Sequence, residues 1–144
     1  MKVASILRAK GLHVETVAPD ALLRNVAWSL RSRAIGALVV VDGHGSILGV
    51  LSERDIVYAL AEHGADLLTM RASQVMNRSI VTCTPEDSIT RVMAQMTRHR
   101  IRHVVVVEQG RLHGIVSIGD VVKHRLDELE LEANVLRETL IARP

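Results

Sequence analysis

Apolar and polar positions follow two different periods along the chain, and the same order of periods occurs twice. In the first half, a continuous β-branched run predicts a buried strand, and apolar residues at helical spacing predict a helix on either side of a strand pair. Asp20 is the predicted N-cap of the first of these helices, and Gly64 is predicted to end the second. The predicted elements are an extended segment at 14–17, a helix over 21–33, strands at 37–41 and 47–51, and a helix over 54–62.

The second half of the chain predicts the same elements in the same order. Residues 85–87 (Pro-Glu-Asp) are predicted to open a helix, and a turn at 109–110 is predicted to join two strands. A helix predicted over 3–10 precedes the first copy, and a loop with a short helical turn is predicted between the copies at 65–77. The predicted elements are an extended segment at 80–82, a helix that ends at Met96 or Thr97, strands at 104–107 and 112–116, and a last helix from about Ile118.

The last helix is predicted to continue well beyond its counterpart in the first copy. Its apolar residues are spaced 4, 3, 4, 3 and 4 positions apart, which is the spacing of a seam that packs against another helix. Two interpretations remain open: the helix lies on its own domain, or it pairs with a second chain. The seam residues are Val122, Leu126, Leu129, Ala133, Leu136 and Leu140.

The two halves also share a sequence motif. Residues 49–55 read Gly-Val-Leu-Ser-Glu-Arg-Asp, and residues 114–120 read Gly-Ile-Val-Ser-Ile-Gly-Asp. Upstream, Thr-Val-Ala-Pro-Asp at 16–20 corresponds to Thr-Cys-Thr-Pro-Glu at 82–86. The copies differ in length by a single residue, at the predicted turn between the two strands. This repetition predicts a pseudo-twofold module with two equivalent sites.

The shared motif places a serine and an aspartate where a strand passes into a helix. Unpaired backbone N–H groups at a helix N-terminus attract anions, and a serine hydroxyl adds a further donor for a phosphate. An aspartate three residues later presents two acceptor oxygens, which can accept both hydroxyls of a ribose diol. Ser52 with Asp55, and Ser117 with Asp120, are therefore candidate contacts for a nucleoside phosphate. The alternative is a capping box at each helix start, and the two roles are compatible.

Composition restricts how such a ligand could be held. The chain has 144 residues, which corresponds to one or two domains, and its 48% hydrophobic and 24% charged residues are ordinary for a soluble globular protein. It contains no Phe, one Trp and one Tyr. The core is therefore predicted to be aliphatic, and a flat ligand is predicted to lie mainly between Val, Ile and Leu side chains.

Charge distribution and targeting signals further restrict the class of protein and its compartment. The formal net charge is +2, and basic residues cluster at 98–103, which favours a local anion site over a broad nucleic-acid surface. The single cysteine, Cys83, cannot form an internal disulfide. No signal peptide or membrane-spanning segment is recognisable, so we expect a cytoplasmic protein.

The repeated motif resembles that of a tandem pair of CBS domains, the regulatory modules named after cystathionine β-synthase. The family signature is Gly-x-x-Ser/Thr-x-x-Asp at the end of a strand, with a Thr-x-x-Pro start about 35 residues earlier, and both halves show it. The resemblance implies an α/β (α+β) fold of two pseudo-symmetric β-α-β-β-α repeats, packed sheet to sheet, with a long C-terminal helix. The expected division is a first repeat with an N-terminal helix at 1–64, a second repeat at 65–122 and a helical extension at 123–144.

The resemblance also implies two clefts that bind adenosine ligands, such as AMP, ADP, ATP, NAD(H) or S-adenosylmethionine. The aspartates would hold ribose hydroxyls, the serines would contact phosphate or ribose, and Val50 and Ile115, just before them, would flank adenine. The start of the first long strand of each copy would line a cleft. The ligand-binding residues implied are Val50, Ser52, Asp55, Ile115, Ser117, Asp120, Ile35, Gly36, Ala37, Arg102 and His103.

The two copies carry different residues at the start of their first long strand. The second copy supplies Arg102 and His103, which suit a phosphate, whereas the first supplies Gly36 and Ala37. We therefore expect the two clefts to differ in phosphate preference. The family often has a proline nearby, where this chain has valine.

Catalytic and metal sites are not predicted. Ser, His and Asp are present, but no spacing arranges them as a triad and no Gly-x-Ser-x-Gly motif occurs. His99 and His103 have a spacing that could bind zinc on a helix, but the helix is predicted to end near His99 and no third ligand is placed. We expect neither an enzyme nor a catalytic cofactor.

The leading hypothesis is a regulatory sensor that binds an adenine nucleotide (AMP, ATP or NAD(H)) and forms a homodimer. The alternative is a structural scaffold that docks a protein partner through its C-terminal helix, without dependence on a ligand. A third interpretation is nucleic-acid binding through 98–103, which would show a steep salt dependence.

Overall fold

The computed structural model describes residues 1–142; the last two residues of the predicted extension, 143 and 144, lie outside the described residues. The elements follow the predicted order, with a 3-10 helix at Gly64–Thr69 between the two repeats. The helices are α1 (Val3–Lys10), α2 (Leu23–Ser32), α3 (Glu53–His63), α4 (Ala72–Val75), α5 (Ile89–His99) and α6 (Ile118–Ile141). The strands are β1 (Thr16–Val17), β2 (Ala37–Val41), β3 (Ile47–Ser52), β4 (Thr82–Cys83), β5 (His103–Glu108) and β6 (Arg111–Ser117).

The strands form two sheets of identical topology. Each sheet has three strands in sequence order, in which the first pair is parallel and the second pair is an antiparallel hairpin. Equivalent residues occupy equivalent registers, since Val39 pairs with Val50 in the first sheet and Val105 pairs with Ile115 in the second. The predicted α/β fold of two pseudo-symmetric β-α-β-β-α repeats is confirmed.

Each sheet covers its own hydrophobic core, and each core is closed by a helix from an unexpected part of the chain. The second core contains residues of β4, β5, β6, α5 and the start of α6, together with Val3, Ile6 and Leu7 of the N-terminal helix α1. The first core contains Ala72 and Met76 from the segment between the repeats. The helix that precedes the first repeat therefore packs on the second, and the segment that precedes the second packs on the first.

The opposite faces of the sheets are buried as well. Val39 and Val105 are 0% and 1% exposed, but they belong to neither core. Because successive side chains of a strand point to opposite faces, these valines lie on the sheet faces turned away from the helices. This burial is what the predicted sheet-to-sheet packing requires.

In each repeat, the helix that follows the first strand begins later than predicted, so both predicted starts were wrong. Asp20 does not cap α2; the N-cap is Leu22, whose side chain makes no capping hydrogen bond. The N–H of Leu23 instead donates to the Met70 carbonyl at 2.9 Å. In the second repeat the cap is Ser88 rather than a residue of 85–87, and its hydroxyl accepts from the Arg91 N–H at 3.1 Å.

Cys83 is a free thiol in the second core. Burial, followed by the nearby charge of Asp87, raises the pKa of Cys83 to about 12. The thiol is therefore protonated and unreactive at neutral pH.

The second half of α6 does not lie on its own domain. Val121 is buried at the start of the helix, but every residue from 129 to 142 is exposed. The apolar seam is accordingly open, with Leu126 and Leu136 60% and 61% exposed. The interpretation that this helix covers its own domain is wrong for this part. No helix within residues 1–142 combines the length and apolar character needed to cross a membrane.

Candidate functional site

A cavity of about 350 Å³ lies between the two repeats, and we call it the first cleft. Its size falls in the range of small-molecule and cofactor sites, roughly 300–1,000 Å³. The first repeat and the segment after it contribute Gly36, Val50, Ser52, Glu53, Arg54, Asp55, Tyr58, Asn77 and Ser79. The second repeat contributes Ile80, Val81, His99, Arg100, Ile101, Arg102 and His103.

Ser52 and Asp55 meet where β3 passes into α3. The Asp55 N–H donates to the Ser52 hydroxyl oxygen at 3.3 Å, and the Ser52 N–H donates to Asp55 Oδ2 at 2.9 Å. The capping-box alternative is therefore confirmed. Oδ2 also accepts from the Ser52 hydroxyl at 3.0 Å, and the ion pairs of residues 1–142 do not include Asp55. Its carboxylate is fixed in direction but has no cation partner.

Gly49 allows a second backbone to approach this junction. The N–H of Asn77 donates to the Val50 carbonyl at 2.9 Å, and the N–H of Val50 donates to the Asn77 carbonyl at 3.0 Å. A Cβ added at Gly49 would lie 2.9 Å from the Asn77 carbonyl oxygen and 2.7 Å from the Met76 sulfur. The glycine is required for this close contact, which places the segment after α4 along one wall of the first cleft.

The wall supplied by the second repeat is strongly basic. Arg100 ends α5 in a left-handed conformation with φ of 53°, which turns the chain toward β5. Its carbonyl accepts a hydrogen bond from Arg54 Nη1 at 3.4 Å, so the two repeats are joined across the cleft. Arg54, Arg100 and Arg102 all line the cavity together with Glu53 and Asp55, and the guanidinium groups suit a phosphate.

His103 lies at a close contact between the two repeats. A Cβ added at Gly36 would be 3.0 Å from His103 Nε2 and 3.3 Å from Glu53 Oε1, so both side chains converge on that glycine. Burial, followed by the positive charge of Lys10, lowers the pKa of His103, and the carboxylates of Asp120 and Glu53 oppose this shift only in part. The imidazole is therefore biased toward its neutral form.

Six of the residues predicted to bind a ligand line the first cleft, and the other five lie outside its lining. Ile35 instead packs against the first core, and Ala37 is buried. The residues in the lining of the first cleft are Gly36, Val50, Ser52, Asp55, Arg102 and His103. The residues outside that lining are Ile35, Ala37, Ile115, Ser117 and Asp120.

The second motif has the same local geometry but different surroundings. Ser117 and Asp120 form the equivalent capping box, in which the Asp120 N–H donates to the Ser117 hydroxyl at 3.1 Å. Asp120 Oδ2, however, also accepts from Lys10 Nζ at 2.6 Å. Burial acts to raise the pKa of Asp120, but hydrogen bonds from Lys10 and Ser117 outweigh it, and the pKa lies below its usual value.

Several lining residues carry no clear signal in the sequence. Arg54 lies inside the shared motif, at a position that differs between the copies. Tyr58 follows Asp55 by three residues, so helical spacing could have placed it on the same face of α3. Asn77 and Ser79 come from the segment between the repeats, and only the tertiary pairing with Val50 brings that segment to the cleft.

His99 and His103 both line the first cleft. Helix α5 ends at His99, so the two histidines do not share a helical face. Across residues 1–142, no group of three or more His, Cys, Asp or Glu side chains is arranged to hold a metal ion.

Fold and cleft together define a tandem α/β repeat protein with an arginine-lined cavity between its repeats. A family model for the CBS domain matches residues 4–62 and 72–127. The chain therefore belongs to the CBS-domain family and carries a tandem pair of these domains.

Relatives and solved structures agree with this assignment. The chain is 30% identical over 124 residues to the CBS domain-containing protein YhcV of Bacillus subtilis, an alignment that covers 86% of this chain and 87% of that protein. The CBS-domain containing protein ATU1752 from Agrobacterium tumefaciens superposes with a TM-score of 0.85 at 44% identity, covering 87% and 99% of the two chains. The CBS domain protein PAE2072 from Pyrobaculum aerophilum, solved in complex with AMP, superposes with a TM-score of 0.78 at 32% identity, covering 92% and 99%.

The two motif glycines provide a matched test of the junction. We expect Gly49→Ala to lower the free energy of unfolding by about 1–3 kcal/mol, because the new methyl group meets the Asn77 backbone. Gly114→Ala should cost less, because its Cβ would meet only the end of the Leu7 side chain, at 2.8 Å. Urea denaturation of both variants measures the difference. Equal losses would show that the Val50–Asn77 pairing does not constrain Gly49.

Burial of His103 predicts a pH-dependent stability. Because its folded pKa is lowered from the usual histidine value of 6.5, the unfolded chain binds more protons near that pH, and stability falls as the pH drops through this range. We expect His103→Gln to reduce the slope of unfolding free energy against pH on the acid side of neutrality. Urea denaturation at several pH values measures the slope in each protein. Identical slopes in the two proteins would contradict a lowered pKa for His103.

Proposed function

We propose that the protein is a regulatory sensor that binds an adenine nucleotide in the first cleft. The observation that carries this proposal is the composite site, in which Ser52 and Asp55 of one repeat face Arg102 and His103 of the other. A ribose binds a carboxylate and a phosphate binds guanidinium groups, so the two walls suit the two ends of one ligand.

The contacts can be assigned by chemistry. The Asp55 carboxylate accepts hydrogen bonds from the ribose hydroxyls, since it is oriented by Ser52 but has no cation partner. Arg54, Arg100 and Arg102 face the phosphates. Val50, Ile80, Val81 and Ile101 are the aliphatic residues available to enclose the adenine ring, and Tyr58 is the aromatic residue beside them.

The AMP complex of PAE2072 supports an adenosine ligand for a chain of this fold and similarity. ATP and NAD(H) share the adenosine part of AMP and differ from it in the groups attached to the first phosphate. The three arginines of the first cleft favour ligands with more phosphate charge.

A ligand in this cleft would act on the arrangement of the two repeats. It would contact both, and the repeats are already joined there by the hydrogen bond from Arg54 to the Arg100 carbonyl. Binding shifts a conformational equilibrium only when the ligand has different affinities for the two states. The proposed role is therefore to bias the relative position of the repeats, with no chemical step.

The proposal predicts a loss of affinity in Asp55→Asn. Asparagine keeps the side-chain shape but removes the charge, and we expect affinity to fall by about tenfold or more. Calorimetric titration with AMP, ATP, NADH and S-adenosylmethionine, on protein freed of bound nucleotide, measures it. Asp66→Asn, in the exposed 3-10 helix, is the control and should bind as the wild type does.

Two results would count against the sensor. Unchanged affinity in a folded Asp55→Asn variant would show that the ribose contact is misassigned. No saturable binding of any of the four ligands to the folded wild-type protein would favour the scaffold that acts through its C-terminal helix.

We also propose that the protein is a homodimer paired through α6. The open seam of that helix favours this, because exposed leucines at heptad spacing are typical of a coiled-coil interface. The seam is short, so we expect further contacts between the CBS domains of the two chains to stabilise the dimer with it.

Charge introduced into the seam should separate the chains. We expect Leu129→Glu combined with Leu136→Glu to convert a dimer to a monomer, as measured by sedimentation velocity. Leu131→Glu is the matched control, because Leu131 is 65% exposed but lies off the seam. A wild-type monomer, or a double variant that remains dimeric, would contradict pairing through this helix.

A further inference from the structure

The two Ser–Asp motifs are equivalent in the chain but not in their partners. In the first repeat, the Val50 carbonyl accepts a hydrogen bond from the Asn77 backbone N–H at 2.9 Å. The equivalent carbonyl in the second repeat, that of Ile115, accepts from Lys10 Nζ at 2.9 Å. The same ammonium donates to Asp120 Oδ2 at 2.6 Å. One lysine thus binds both the carbonyl and the carboxylate of the second motif.

The position of Lys10 is fixed by the packing of α1. Val3, Ile6 and Leu7 are buried in the second core, and a Cβ added at Gly114 would lie 2.8 Å from Leu7 Cδ2. Lys10 is the last residue of α1 and follows Leu7 by three positions, so it lies on the same face of the helix. The core therefore delivers the ammonium to Asp120.

A second ion pair, at the start of the same helix, is much more exposed to water than the pair of Lys10 and Asp120. Lys2 Nζ lies 2.6 Å from Glu86 Oε2, but those side chains are 59% and 75% exposed. The side chains of Lys10 and Asp120 are 30% and 24% exposed at the same distance. Because water screens the Lys2 pair more strongly, Lys10 is held more firmly than an ordinary surface lysine.

A small cavity borders the Lys10–Asp120 pair. The cavity bordered by Lys10, Asp120 and Asp127 has a volume of about 90 Å³, compared with about 350 Å³ for the first cleft. Its lining includes neither Ser117 nor Ile115. A ribose at Asp120 would have to displace Lys10 and leave its ammonium without its carboxylate partner.

We propose that Lys10 is the resident occupant of the second site, so that each chain binds one nucleotide, in the first cleft. The inference rests on the proposed function of that cleft. Lys10 stands where a ribose hydroxyl would stand, and it neutralises the carboxylate that would recognise it. The N-terminal helix thereby sets the stoichiometry of the sensor.

The test counts bound AMP by calorimetric titration of the full chain. We expect one AMP per chain in the wild type and two in Lys10→Met, which keeps an unbranched side chain, one atom shorter, but removes its charge. Lys10→Met combined with Asp55→Asn should retain the new site and weaken the first by about tenfold or more. Lys2→Met, at the other end of α1, is the matched control and should bind one AMP.

Three results would overturn the inference while leaving the sensor in place. The first is two AMP molecules per wild-type chain. The second is a single AMP in Lys10→Met. The third is weaker binding in Lys10→Met with no added site, which would make Lys10 a ligand contact.

A measurement without nucleotide separates this inference from the proposed function. The chain has three lysines, so competitive acetylation followed by mass spectrometry can report Lys2, Lys10 and Lys123 individually. We expect Lys10 to react more slowly than the other two, and Asp120→Asn to remove that protection. Rapid acetylation of Lys10 would overturn its role as the occupant of the second site, whether or not the protein binds AMP. Protection of Lys10, with no AMP bound by any variant, would instead overturn the nucleotide site itself.

Discussion

Both faces of each small sheet must be buried, and this requirement shapes the whole molecule. A three-stranded sheet buries one face under its helices, and here the other face is buried as well, as Val39 and Val105 show. Neither repeat can satisfy both faces alone, so the repeats must pack together. The first cleft is a consequence of this packing, because it lies where the strand–helix junction of one repeat meets the wall of the other.

The exchange of helices also makes each repeat depend on the other part of the chain to close its core. Helix α1 closes the second core, and Ala72 and Met76 help close the first. Helix exchange also distinguishes the two motifs. The segment after α4 brings backbone to Val50 and leaves Asp55 without a cation, whereas α1 brings the Lys10 ammonium to Ile115 and Asp120. Equivalent sequences therefore meet unequal surroundings.

Local patterns predicted most elements within one or two residues. The strand at 37–41 and the helix at 3–10 were predicted with the bounds observed, because their β-branched run and their terminal glycine are local signals. The helix starts near Asp20 and 85–87 were wrong for a different reason. The N–H of Leu23 is satisfied by the Met70 carbonyl and that of Ile89 by the Met1 carbonyl, and both partners are distant in the chain.

Sequence patterns alone were enough to define the repeat, the order of its elements and the two Ser–Asp junctions, because strand periodicity, capping and glycine spacing act over a few residues. Which basic residues face which aspartate depends instead on tertiary packing. Arg102 and His103 belong to the second repeat but line the cleft of Asp55. Lys10 and Asp120 are 110 positions apart, and nothing local in the chain relates them. Packing of α1 on the second core joins them, since that is where its apolar face is buried.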